Sequence, residues 1–200
     1  DAAVYQDVAG HLFYANRSLG AAEEERLGCR GTQPLLWSVG VSGDWPILLA
    51  PIDSMEGLST LRQLLTAHRY WRRRGMQVDL VVLDTHPPTY QKEVRDRITA
   101  TVLASTEGGG LDHPGGVFVR RVDLLAPDVL TMLRSTARVI VPCDGRSLGR
   151  LLEQLSPEDE SIAQPEPSVS TLRRLERSTP QVFRAIKNIT ARLLESDTPP

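Results

Sequence analysis

WSVGVSGDWPILLAPI, residues 37–52, sets small residues, a glycine and an acid ahead of an apolar run. That order decides how the fold is read. A phosphate-binding loop follows its strand and opens a helix, whose first N–H groups then hold the anion. Here Gly43 comes before the run Pro46-Ile47-Leu48-Leu49-Ala50-Pro51-Ile52. Ser42-Gly43-Asp44 therefore lies at the amino end of a strand, whereas an open α/β sheet takes its ligands beyond the carboxyl ends. The stretch reads as a structural turn in which Gly43 supplies a permissive φ and Asp44 bonds nearby backbone N–H groups. Pro46 stands at the start of the strand, where a missing N–H is tolerated.

Downstream, LSTLRQLLTAHRYWRRRG (58–75) carries Leu58, Leu61, Leu64, Leu65, His68 and Trp71 on one helical stripe, closed by arginines and Gly75. The alternation repeats through VDLVVLD (78–84), TYQKEVRDRITATVL (89–103), GGVFVRRVDLL (115–125), APDVLTMLRSTA (126–137), RVIVP (138–142) and SLGRLLEQL (147–155). Strands are expected near 46–51, 78–84, 117–121 and 138–142. Strands alternating with helices imply parallel pairing through right-handed crossovers. The fold class is thus α/β, a four-stranded parallel, doubly wound, Rossmann-like sheet, with expected strand order 2-1-3-4.

Upstream, residues 2–14 place Tyr5, Val8, Ala9 and Leu12 on one side of an N-terminal helix, and AAEEERLGCRGTQP (21–34) reads as helix end and loop. The expected organisation is helix and loop over 1–34, the α/β domain over 35–155, a proline-rich acidic linker over 156–170, and a C-terminal amphipathic helix over 171–200. That last helix carries Val182, Ile186, Ile189 and Leu193 and needs a partner surface. Residue 1 is Asp, and helical periodicity starts at once, so a piece of a longer polypeptide is expected.

Composition narrows the function. The 200 residues are 40% hydrophobic and 24% charged, as in a soluble globular domain with one core of ordinary size. A net charge of −2 gives no signal for nucleic acid or direct membrane contact. Cys29 and Cys143 have no metal or redox spacing and read as free thiols, with a single disulfide left open. No apolar stretch approaches the roughly 20 residues of a membrane span.

The carboxyl ends of the strands deliver a candidate ligand-binding rim of Asp53, Asp84, His86, Arg121 and Asp144. Asp84 and His86 form its sharpest pair, since an acid can orient an imidazole for proton transfer. Local hydrogen bonding at loop ends is the competing reading. His68, on its apolar stripe, reads as a satisfied interface histidine, and His113 lacks a second ligand at metal spacing. HRYWRRRG reads as a helix C-terminus with cations set against the dipole. Ser42 has no G-x-S-x-G setting and neither cysteine has an adjacent base, so no catalytic residue, metal or cofactor is expected.

One longer pattern remains. Trp37, Gly40, Ser42, Gly43, Asp44, Pro46, His68, Tyr70, Trp71, Arg72, Asp79 and Gly116 follow in order within LWSVGVSGDWPILL, LLTAHRYWRRRGMQVDLVVLD and GGVFVRRVDLL. This set resembles a segment of the cyclic β-1,2-glucan synthases, across about residues 2–155. The loop Asp84-Thr85-His86-Pro87-Pro88-Thr89-Tyr90 departs from the family pattern. The resemblance implies large bacterial inner-membrane proteins that use UDP-glucose and combine a glycosyltransferase, hydrolase-like modules and a phosphorylase-like module (glycosyltransferase family 36, glycoside hydrolase family 94). It implies a non-catalytic α/β segment at the cytoplasmic face, partnered by neighbouring domains of its own polypeptide and reaching β-glucan through them. The alternatives are an independent ligand-binding domain using the rim and a glycosyltransferase domain. Against the last, the chain has no D-x-D and no Q-x-x-R-W.

Overall fold

In a computed structural model, which describes residues 2–14, 19–86, 92–105 and 110–155, the four apolar runs become strands. They are β1 (Ile47–Ile52), β2 (Asp79–Asp84), β3 (Val117–Arg121) and β4 (Val139–Ile140), all parallel. The first three lie within one residue of the expected spans. β4 is shorter because Pro142 has no N–H to give. Val141 and Cys143 on either side still donate to the Leu49 and Pro51 carbonyls at 2.9 and 2.8 Å. The linker over 156–170, the helix over 171–200 and Pro87 to Tyr90 lie outside the described residues.

The strand order is β3-β2-β1-β4, which corrects the expected order 2-1-3-4. The reason lies in the strands' own residues. All six positions of β2 are buried, as a strand covered on both faces and both edges requires. β3 ends in Arg120 and Arg121, both only partly buried, and such charges are accommodated at a sheet edge.

Alternation along the strands divides the core. Leu48, Ala50, Ile52, Leu80, Val82, Val117 and Val139 face one side, and Ile47, Leu49, Val81, Leu83 and Phe118 face the other. The first face is covered by α1 (Ala2–Phe13), α4 (Leu58–Arg73), α5 (Lys92–Ser105) and α7 (Leu148–Leu155). The second is covered by α3 (Pro34–Trp37) and α6 (Pro127–Thr136).

The apolar stripe of α4 is fully used, with Leu61, Leu64, Ala67 and Trp71 buried against the sheet and its neighbours. Trp71 also donates its indole N–H to the Tyr5 carbonyl at 2.8 Å, tying α4 to α1. The stretch over 21–34, read as a helix end and loop, contains a separate helix, α2 (Glu23–Gly28). It buries none of its residues, so it left no apolar periodicity to read. Its anchor is polar: Glu25 accepts from Arg134 on α6 at 2.6 Å. No helix among the described residues is long and apolar enough to cross a membrane.

Candidate functional site

All five rim residues arrive at the carboxyl edge of the sheet. In sheet order, Arg121 ends β3, Asp84 ends β2 with His86 just beyond, Asp53 follows β1, and Asp144 follows Cys143. Asp84 and Arg121 are register partners. Two of the three rim acids, Asp84 and Asp144, are engaged within the chain. Asp84 is buried, with Oδ2 accepting from Arg95 Nε at 3.1 Å and Oδ1 from the His86 backbone N–H at 3.0 Å. Its bond to His86 is therefore to the main chain. Asp144 accepts from the Arg146 N–H and Nε at 3.1 and 2.7 Å. The Arg146 hydrogen bond holds the Asp144 carboxyl below its ordinary range. Arg121 donates from Nε to Asp123 at 3.0 Å, which likewise lowers Asp123 and raises Arg121. Asp53 is exposed.

Strand order places the reversal of winding between β1 and β4, the crevice where a doubly wound sheet takes a nucleotide. This crevice is closed by the chain itself. Gly57, at the start of α4, packs against the Cys143 backbone so tightly that any Cβ would overlap the Cys143 carbonyl oxygen. Ser59 Oγ donates to the Gly145 carbonyl at 3.0 Å and Thr60 Oγ1 to the Arg146 carbonyl at 2.7 Å. The Gly145 and Leu148 N–H groups bond Thr60 Oγ1 and Gln63 Oε1, both at 3.1 Å. The side chains that open α4 thus hold the loop after β4.

The Ser42-Gly43-Asp44 turn lies at the opposite end, ahead of β1, and Gly43 takes φ +77°. Its chemistry differs from the expected one. Ser42 Oγ, not the acid, bonds main chain, accepting the Asp44 N–H at 3.1 Å. The exposed Asp44 carboxylate accepts instead from Gln33 Nε2 at 3.3 Å. Gln33 Nε2 and Trp37 Nε1 both donate to the Ser42 carbonyl, at 2.8 and 3.1 Å, and pin the turn to α3.

Two buried polar groups share this amino end. His68 is 3% exposed, with Nε2 2.9 Å from the Val78 carbonyl. Burial lowers its pKa against the pull of the Val78 and Gly115 carbonyls. Asp79 has no exposed surface, and burial raises its pKa to about 6. The sequence signal for Asp79 was an acid alone at the head of an apolar run. His113 is exposed in the loop before β3. Cys29 and Cys143 are unpaired thiols, and burial pushes Cys143 up to about 12. Among the described residues, no three His, Cys, Asp or Glu side chains are grouped to hold a metal ion.

No protein-family model matches the chain. Over 144 residues, 70% of the chain, it is 28% identical to the cyclic beta-(1,2)-glucan synthase NdvB of Rhizobium meliloti (strain 1021), of which it spans 5%. The chain is related in sequence to a short segment of that synthase.

Proposed function

We propose that the chain is a non-catalytic α/β module of a cyclic β-1,2-glucan synthase, packed between the carbohydrate-active domains of one long polypeptide at the cytoplasmic face of the inner membrane. The observation that carries this reading is the closed crevice between β1 and β4. There Gly57 packs on the Cys143 carbonyl, and Ser59 and Thr60 bond the loop after β4, at the switch point where doubly wound sheets take their ligands. The rim acids Asp84 and Asp144 are committed to Arg95 and Arg146, which supports a structural role for both. The relation to the glucan synthase supplies the polypeptide in which such a module would act.

The test uses the full-length synthase that carries this chain. Asp53→Asn, His86→Ala and Asp144→Asn, singly and together, are expected to leave glucan synthesis at the wild-type rate. Leu61→Asp, which puts a charge into the core beneath α4, is expected to abolish synthesis and expose neighbouring domains to protease. Loss of synthesis in the rim variants with the fold intact would instead make the rim an active or binding site.

A further inference from the structure

A cleft of about 570 Å³ opens at the amino end of the sheet, away from the rim, and lies within the volume range of small-molecule sites. Its walls include Arg26 on α2, Asp44 and Trp45 before β1, Ser135 and Thr136 at the end of α6, and Arg138 before β4. Elsewhere Arg95, Arg121, Arg134 and Arg146 each hold a carboxylate. The guanidiniums of Arg26 and Arg138 have no hydrogen-bond or ion-pair partner among the described residues. Trp45, 39% exposed, lines the same cleft.

We infer that this cleft binds a short stretch of oligosaccharide. The chemistry discriminates among ligand classes. Guanidiniums only donate hydrogen bonds and the Asp44 carboxylate only accepts them, so the ligand must offer both acceptors and donors. Vicinal hydroxyls of a sugar do both. The apolar face of a pyranose ring can lie on the Trp45 indole, an apolar body with a polar edge. A bare anion would be opposed by Asp44 and leave the indole unused, while an apolar ligand would leave Asp44, Arg26 and Arg138 desolvated without partners. The choice of β-1,2-linked glucose rests on the function proposed above. The requirement for a saccharide rests on the cleft alone.

Titration of the isotopically labelled 200-residue chain with a linear β-1,2-glucopentaose, cellopentaose and inorganic phosphate, followed by NMR, tests this. β-1,2-glucopentaose is expected to shift the resonances of Gly43, Trp45 and Arg138. Trp45→Ala and Arg138→Ala should each weaken binding about tenfold or more, the scale of one lost anchor. Arg26→Ala, on an exposed helix, gives a second variant, and Lys92→Ala on α5 serves as the control that binds as wild type. Binding of cellopentaose alone would keep the saccharide cleft and remove support for the glucan-synthase reading. Binding of phosphate alone, or of none of the three, would overturn the cleft and leave the proposed module untouched.

Discussion

Asp79 Oδ1 accepts the Gly115 N–H at 2.7 Å, and its Oδ2 has no partner among the described residues. One carboxylate at the head of β2 thereby holds the loop that feeds β3, at the cost of burying a charge. Burial is the main cause of its pKa rising to about 6; the Asp44 charge adds to the rise and the Gly115 N–H opposes it.

That shift sets a pH dependence. An unfolded Asp titrates near pH 4, so from about pH 4 to about pH 6 the folded state binds more protons than the unfolded one. Stability is then lost as pH rises through this window, by about 2–3 kcal/mol in total, and levels off above it. His68, whose lowered pKa acts in the opposite sense near pH 6.5, is common to both proteins in a comparison with Asp79→Asn. Thermal midpoints of wild type and Asp79→Asn between pH 4 and 7.5 are expected to diverge, with wild type losing ground as pH rises. A constant difference across that range would show that Asp79 titrates as an ordinary carboxyl.

At the opposite end, Gly57→Ala should be among the most damaging small substitutions in the chain. Its Cβ would meet main chain, the Cys143 carbonyl, which cannot rotate away. Overpacking of this kind costs about 1–3 kcal/mol. Denaturant unfolding checks it, and a loss below about 0.5 kcal/mol, the range of neutral surface changes, would mean that the β1–β4 crevice is able to open.

The turn before β1 yields a contrast between neighbours. Ser42→Ala removes the acceptor of the Asp44 N–H and should cost about 1 kcal/mol. Asp44→Ala removes only an exposed, long bond from Gln33 and should stay within about 0.5 kcal/mol. Equal losses in the two variants, measured by thermal unfolding, would return Asp44 to the role in the turn first expected of it.

The strands and long helices were legible because their signals are local. Leu61, Leu64 and Trp71 repeat at helical spacing, and VDLVVLD is a buried strand whatever its neighbours. Strand order was not read correctly, although the clue was present in Arg120 and Arg121, which mark β3 as an edge. Helix α2 was missed because its hold on the fold is polar, through Glu25 to Arg134 and Ser135 on α6, contacts about 110 residues apart that no periodicity reports. The arrival of Asp84 and Asp144 at the rim followed from topology, but their partners did not. Arg95 comes from the next helix, and Arg146 meets Asp144 only through the shape of its turn. The unpaired state of Arg26 and Arg138 is a property of tertiary neighbours and has no signature in sequence.

The most direct measurement is turnover by the purified chain, incubated with UDP-glucose or with β-1,2-glucan and phosphate while the products are followed. Work at a glycosidic bond needs two carboxyl groups held across a sugar, one of them with a raised pKa. At the rim, Asp84 is bound to Arg95, and Asp144 is held below its ordinary range by Arg146. A non-catalytic module predicts no product above the protein-free control. Turnover that Asp144→Asn abolishes without changing the thermal midpoint would contradict it and make the rim an active site.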